Sequence, residues 1–437
     1  MAENKLSTDP YKGVRDFYPE EWAREKYRFS IMRDCAERFG YEEYTASPLE
    51  PTELYLNKGN EEIINEQTYT FIDRGERSVT LRPEMTPSIA RMVAAKRREL
   101  SYPLRLYSIP NCFRYERPQK GRLREFYQLN CDLFGVTGPD ADAEIILLAY
   151  EIMKGYGATP EMFEIKIYSR TLLNFWAHQV VGMSEEETYR FTKVLDRFGK
   201  MSREEFHTHL VEIVKDAARA DTILDYLTSE EARAAMHTIQ ESAEMKEVKA
   251  VMDRLVTLGV PKSVLKFDPT LARGFDYYTG IVFEVFDTDP NNRRSIFGGG
   301  RYDNILDLFG TEPVPAVGFG MGDAMTEEFL KTHNLLPEYQ PTTTLYICAV
   351  TENDISAAQE LAHELRAQDI SVAVDLSGKK LGDQYKTADK KKIPFVLTVG
   401  ADEKKIGIFK IKNLATGDES PVGKGDIADF LFEQGLE

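Results

Sequence analysis

Two stretches of the chain carry residue types whose spacing suits chemistry on an anionic substrate. In LARGFDYYTGIVFEV (271–285), Arg273 and the adjacent Tyr277 and Tyr278 stand just ahead of an alternating apolar run. That pattern puts the arginine at the mouth of a strand, where its planar guanidinium can clamp a carboxylate or phosphate at two points. The two tyrosines add a flat aromatic wall with phenolic donors, suited to reading a small polar ring. By itself the stretch equally fits an ordinary amphipathic strand entry.

The second stretch is FRYERPQKGRLREFYQLNCDLFG (113–135). Arg114, Arg117, Lys120, Arg122 and Arg124 crowd around Pro118 and Gly121, between the apolar runs LRLYSI and FYQLNCDLFG. The pattern predicts two antiparallel strands joined by a basic loop. A lone basic loop is most often a solvated turn, but here the order is informative. Phe-Arg-x-Glu on the outgoing strand is followed by Arg-x-x-x-Phe, Arg122 to Phe126, on the return. Arg114 is typed to hold an α-phosphate, Glu116 to accept from an adenine amino group and Phe126 to stack on the base. Those parts would hold ATP bent, with its α-phosphorus open to attack.

The elements that must position these residues follow from punctuation. Residues 1 to about 165 mix helical periodicity, as in EEWAREKYRFSIMRDCAERFG, with short strands. From about 170 to 262 the texture turns to charged, helix-favouring segments, with Ser184-x-x-Glu187 and Ser202-x-x-Glu205 reading as capping boxes. We expect a helical insertion there, after which strands resume at 264–286, 293–303 and 314–322. HNLLPEYQPTT (333–343) reads as a linker. Beyond it TLYICAV, SVAVDL and PFVLTVG alternate with helical stretches, which predicts a small α/β domain with a largely parallel sheet. Its first helix should turn Ile355, Ala358, Ala362 and Leu365 to one face.

Composition permits this reading without suggesting it. At 437 residues and 42% hydrophobic content the chain can hold two or three globular domains. MAENKLSTDP lacks the apolar core of a signal peptide, and IILLAY (145–150) is too short to span a bilayer, so we expect a cytoplasmic protein with no membrane association. Cys35, Cys112, Cys131 and Cys348 have no CxxC spacing, which points to neither a zinc site nor a disulfide framework, and no structural metal is expected. A net charge of −17 argues against general nucleic-acid coating, although basic residues concentrate at 117–124 and from Lys379 to Lys392. Lys200-Met-Ser-Arg203 echoes a class I synthetase loop but has no HIGH-type partner, and it reads as a helix cap. His207 and His209 read as a helix surface. No GxxxxGK[ST] loop is present.

Taken together, FRYERPQKGR resembles the second signature motif of class II aminoacyl-tRNA synthetases, and with RGFDYY the chain resembles the histidyl-tRNA synthetase family. YKGVRDFYP (11–19) is similar to that family's opening segment and YEEYTASPLEP (41–51) to its dimer-forming first motif. LRPEMTPSIAR (81–91) resembles the segment that binds the amino acid's α-amino group, and FGGGRYD (297–303) and AVGFGMG (316–322) the last catalytic strands. The resemblance implies an α+β fold: an antiparallel-sheet catalytic domain over 1–332 with the helical insertion at about 170–262, a linker at 333–342, and an α/β anticodon-binding domain over 343–437. It implies ATP-dependent attachment of L-histidine to tRNA(His) through histidyl-adenylate, with Mg²⁺ on the outer phosphates and a homodimer as the working state.

The resemblance also assigns residues. Arg114 and Arg273 would bracket the α-phosphate and the carboxylate. Glu84 and Thr86, flanking Met85, would take the α-amino group with Gln128 nearby, while Asp132 and Tyr278, beside Tyr277, face the imidazole. Arg114, Glu116, Arg122, Phe126 and Arg273 would bind ATP, and Lys379, Lys380, Lys386 and Lys390 would lie on the RNA face. One departure stands out. The third class II motif usually ends in Gly-x-Glu-Arg, whose arginine holds the γ-phosphate, whereas here Gly322 leads into Asp323-Ala324-Met325. Arg82, Arg122, Arg124, Arg293 and Arg301 are the candidates to replace it. The competing reading is a synthetase-like regulatory subunit of ATP phosphoribosyltransferase, which typically lacks the anticodon domain and the full tyrosine motif. A prolyl or threonyl specificity would leave RGFDYY unexplained.

Overall fold

The structure, a computed structural model, describes residues 6–56, 67–119, 121–271, 277–292 and 294–434. It separates into two compact units, Met1–Tyr18 with Arg24–Leu336, and Pro19–Ala23 with Pro337–Glu437.

Helix α1 (Pro19–Arg38), which belongs to the first unit from Arg24 on, starts with a proline and Glu20 and Glu21 in its first turn and ends on Arg38, the charge order its dipole favours. The central sheet follows in pieces: β1 (Glu42–Glu43), β5 (Leu104–Ser108), β6 (Asn111–Phe113), β7 (Glu125–Phe134), β8 (Phe163–Ser169), β9 (Leu265–Phe267), β10 (Ile281–Asp287), β11 (Ser295–Arg301) and β12 (Ala316–Gly322). Its order is β1-β5-β7-β12-β11-β10-β8-β9, with β6 paired to β7. The inner neighbours are all antiparallel, and only the outer pairs β1–β5 and β8–β9 run parallel. A separate small sheet joins β2 (Leu49–Pro51), β4 (Ser78–Leu81) and β3 (Tyr69–Ile72). Helix α2 (Thr86–Lys96) follows β4 in the chain, and its Ile89, Ala90 and Val93 share a core cluster with Phe134 of β7. Helix α3 (Pro139–Gly155) buries Ile145, Ile146, Leu148, Ala149, Ile152 and Met153, and its apolar face joins the largest core cluster.

Between β8 and β9 the chain is helical. Both expected capping boxes form. Ser184 Oγ accepts from the Glu187 amide (3.2 Å) while Glu187 accepts from the Ser184 amide (2.8 Å), and Ser202 with Glu205 repeats the arrangement at 3.2 and 2.9 Å. Lys200-Met-Ser-Arg203 is therefore a helix start. His207 reaches Asp221 across two of these helices (2.9 Å). Trp176 stacks on Tyr226 at 4.3 Å to centre this part of the core. Helix α4 (Asp323–Thr332) then follows β12 directly.

The second unit has β13 (Leu345–Ala349), β14 (Val372–Val374), β15 (Phe395–Val399), β16 (Ile408–Asn413) and β17 (Glu419–Gly423), in the order β14-β13-β15-β16-β17. Its first three strands are parallel, as expected, but β16 and β17 form an antiparallel hairpin that the sequence reading did not anticipate. Phe409 and Ile411 alternate into the core between exposed Lys410 and Ile408, a half-buried strand pattern. Ala358, Ala362 and Leu365 bury as expected, joined by Leu361, while Ile355 is half-buried. Among the described residues no helix is long and apolar enough to cross a membrane.

Candidate active site

Strand β7 supplies the spine of the site. Its period of two turns Phe126, Gln128, Asn130 and Asp132 to one face. Across the sheet the facing positions are glycines: Asp132 pairs with Gly318, Asn130 with Gly320 and Gln128 with Gly322, and β11 adds Gly298 and Gly300 opposite Gly320 and Gly318. A Cβ at Gly318 would lie 2.6 Å from both Asp132 Oδ1 and the Tyr302 hydroxyl, and one at Gly320 would lie 2.5 Å from Gln128 Nε2. Side chains there would fill the floor, so glycine is what keeps the space open. The result is a cavity of about 50 Å³ lined by Thr86, Gln128, Asn130, Asp132, Tyr277, Tyr278 and Tyr302 over the glycine floor.

Two carboxylates dominate its electrostatics. Asp132 is buried, and Tyr302 donates to its Oδ1, while Oδ2 has no hydrogen-bond partner among the described residues. Burial pushes its pKa up to about 7, with the Tyr302 hydrogen bond opposing that rise. Glu84 accepts from the Tyr277 hydroxyl at 3.3 Å, and Tyr277 also reaches Thr86 Oγ1 at 3.5 Å. Burial raises Glu84 to about 7 as well, against the pull of Arg114 and the Tyr277 hydrogen bond. Tyr277, Tyr278 and Tyr302 pack ring against ring, with centroids 5.1 to 6.3 Å apart, so the aromatic wall is rigid.

The basic hairpin forms as the sequence implies. β6 and β7 pair antiparallel, Arg114 N donates to Arg124 O (3.0 Å), and Gln119 and Arg122 bridge near the tip, where Gly121 takes a φ of +74°. The Arg114 guanidinium lies over the Phe126 ring at 5.2 Å and donates to the Pro83 carbonyl at 2.8 Å. Arg122 keeps an exposed guanidinium 3.5 Å from Glu116. Beside this hairpin a larger cavity, about 650 Å³, is lined by Gln119, Gly121, Arg122, Lys166, Glu284 and Met325 among others. Glu284 is the register partner of Gly298, so the two cavities share one stretch of sheet.

A family model for histidyl-tRNA synthetase matches residues 13–323, and one for an anticodon binding domain matches 344–434. The chain belongs to the histidyl-tRNA synthetase family. It is 40% identical over 424 residues to a histidine–tRNA ligase of Leptospira biflexa, covering 96% of each chain. In fold it is similar to the histidyl-tRNA synthetase of Nostoc sp. PCC 7120, with a TM-score of 0.85 at 23% identity over 98% of this chain and 100% of that one. It is also similar to a Bacillus halodurans structure named as an ATP phosphoribosyltransferase regulatory subunit/histidyl-tRNA synthetase. There the TM-score is 0.71 at 25% identity, over 88% of this chain and 97% of the other.

Within this family member, Thr86, Gln128, Asp132, Tyr277 and Tyr278 of the residues expected around the amino acid line one cavity, Glu84 accepts from one of them, Tyr277, and Arg114 lies outside the lining. Met85 does not join them. It is fully buried at the start of α2, where its carbonyl accepts from the Ile89 amide. Arg273, with residues 272–276, lies outside the described residues, as does Arg293.

Three of the arginines proposed for the missing charge are committed elsewhere. Arg82 spans Asn111 O, Asn111 Oδ1 and Ala46 O. Arg301 is buried against Asp142, with further bonds to Val136 O and Gly138 O. Arg124 bonds Glu116 O and Tyr11 and lies 4.0 Å over the Tyr115 ring. Asn130 and Tyr302 escaped the sequence reading. Asn130 shares the i, i+2 stripe of Gln128 and Asp132, which was a usable signal. Tyr302 had none, because it meets Asp132 across 170 residues of chain.

Proposed function

We infer that this chain is a histidine–tRNA ligase, which activates L-histidine with ATP to histidyl-adenylate and transfers the histidyl group to tRNA(His). The observation that carries the substrate assignment is the small cavity with buried Asp132 on its wall and buried Glu84 hydrogen-bonded to the lining Tyr277. Asp132, held at one oxygen by Tyr302, offers its other oxygen to an imidazole N–H. Glu84, tied through Tyr277 to Thr86, suits an α-ammonium. A site with buried polar partners of this kind rejects apolar isosteres strongly, because it would leave those partners unpaired.

The chemistry then follows from charge. The histidine carboxylate attacks the α-phosphorus in line and expels pyrophosphate, and repulsion between the two anions is the main obstacle. Arg114, above Phe126 and beside Glu84, and Arg273 are assigned to neutralise it. Glu116 is assigned to the adenine amino group, Phe126 to the base and Arg122 to the outer phosphates. Among the described residues no three acidic, histidine or cysteine side chains gather into a metal site. Magnesium would ride on the nucleotide's phosphates, with Glu284 among the carboxylates that line the larger cavity. In the second step the terminal ribose hydroxyl of tRNA attacks the adenylate carbonyl.

We assign residues 1–332 to catalysis, with 170–262 as its insertion, 333–342 to the linker and 343–437 to the anticodon. The working state is a homodimer, supported by Leu49, Phe71 and Ile72, which stand exposed on the small sheet. Cytoplasmic translation is the setting. The regulatory-subunit reading is less supported, since the chain keeps the basic hairpin and an anticodon-binding unit. Pyrophosphate exchange measured with each of the twenty amino acids tests the assignment. Exchange with histidine alone is expected, and exchange with another amino acid, or with none, overturns it.

A further inference from the structure

Behind the glycine floor, on the face of β7 opposite the cavity, lies a cluster of charges that the chemistry above does not use. Arg15 of the N-terminal segment pairs with Asp323, and its guanidinium also approaches Glu25 (4.0 Å) and Glu327 (3.8 Å). Arg28 pairs with Glu25 and lies 3.5 Å from Glu327. Glu25, Arg28 and Asp323 are 0–1% exposed. Burial raises the pKa of Glu25 to about 7 and pushes Asp323 upward too. Arg15 Nε, Glu25 Oε2 and Asp323 Oδ1 have no hydrogen-bond partner among the described residues.

Such a buried network is weak as a source of stability, since desolvation offsets most of its attraction. Its place in the fold suggests what it is for. Asp323 is the first residue of α4, directly after Gly322, and Gly322 is the register partner of Gln128. Thr326 Oγ1 donates to the Gly322 carbonyl (2.7 Å), a second tie on the same turn. Arg15 is itself fixed by Phe17 at 4.9 Å, and Phe17 packs beside Tyr127, the neighbour of Gln128 on the far face of β7.

We propose that Arg15 is a positioning residue for amino-acid activation: through Asp323 it fixes the junction between β12 and α4, and so sets the glycine floor against Gln128. A guanidinium suits this task because its planar set of donors meets Asp323 through one nitrogen while another faces Glu25 and Glu327. The proposal rests on the histidine-activating reading, and its test separates the two.

Histidine KM, kcat, calorimetric histidine Kd and Tm are measured for the full-length protein and for Arg15→Gln, Arg15→Lys, Asp323→Asn and the Arg15→Gln/Asp323→Asn double variant. Each single neutral variant should raise KM and Kd on the order of tenfold, with less change in kcat. Arg15→Lys should fall between wild type and Arg15→Gln. The double variant should be no worse than the stronger single, because both break one contact. Should Arg15→Gln fail to fold, Asp323→Asn and Arg15→Lys carry the same comparison. A lowered Tm with KM and Kd within about twofold of wild type, or effects that add in the double variant, overturns the proposal. Loss of histidine exchange in the wild type strikes the functional reading instead, while the calorimetric comparison still decides the role of Arg15.

Discussion

The two ends of the candidate site are built on opposite plans. At the Asp132 end every wall is fixed before a ligand arrives: Tyr302 holds the carboxylate, three tyrosines brace one another, and glycines leave a space side chains cannot enter. At the hairpin end the key charge is on a loop. Arg122 is more than half exposed and pairs with Glu116, the residue assigned to the adenine. That pair must part when a nucleotide binds. The difference follows from the substrates. A small ring is selected by a rigid pocket whose polar groups are already desolvated, whereas a long, highly charged nucleotide is gripped by groups that close onto it.

The largest effect should come from the residue that serves both ends. Arg273→Ala should lower the rate of histidine-dependent pyrophosphate exchange by about 10²–10³, the cost of one preorganised donor to transition-state charge. Its Tm should stay near wild type. Near-normal exchange would remove Arg273 from the chemistry and leave the two ends without a common element.

At the rigid end, Asp132→Asn should raise the histidine KM by roughly ten- to a hundredfold, the worth of a charge-assisted hydrogen bond. The ATP KM should hardly move, and Tm should not fall, because a desolvated carboxylate has been removed. An equal rise in both Michaelis constants would show that the two ends are not separate.

Much of this contrast could be read from residue order alone. The basic hairpin follows from Pro118 and Gly121 between two apolar runs, while Gln128 and Asp132 came from the family resemblance and share one face of the strand. What the sequence hid was occupancy. Arg82, Arg124 and Arg301 look as available as Arg122 on paper, yet their donors are used by carbonyls and carboxylates distant in the chain. Tyr302 was invisible for the same reason, since its partner is set by the registers of β7, β12 and β11 together. Met85 is buried, while its neighbours Glu84 and Thr86 reach Tyr277. In the second unit, Lys410 and Lys412 masked a strand whose apolar residues occupy only alternate positions.

At the mobile-charge end, Arg122→Ala should raise the ATP KM about tenfold, with the histidine KM nearly unchanged. Loss of Arg122 also frees Glu116, so part of the lost attraction is returned by removing a contact that ATP must break. Arg122→Lys should recover little, because a point charge lacks the fork. Unchanged ATP kinetics would assign the outer phosphates to magnesium and water alone.

The smallest effect, and the one that probes the rigid end most directly, is pH. Asp132 and Glu84 both sit at about 7 in the empty protein, raised by burial from the ordinary carboxylate range. A carboxyl group whose folded pKa is raised costs the fold stability as pH rises from its unfolded value through the folded one, because the buried charge must then form. An imidazole N–H and an α-ammonium supply what those charges lack, so histidine binds best to the ionised pair and binding expels protons near neutrality. The histidine KM should therefore fall a few-fold, at most about tenfold, between pH 6 and 8, and the rise in Tm produced by histidine should grow over the same interval. Calorimetry at pH 7 in buffers of different ionisation enthalpy should register net proton release. In Asp132→Asn the dependence should shrink to what Glu84 alone provides. A histidine KM that rises toward pH 8, or proton uptake on binding, would mean that the empty site holds its carboxylates ionised already and that its rigidity rests on charge rather than on burial.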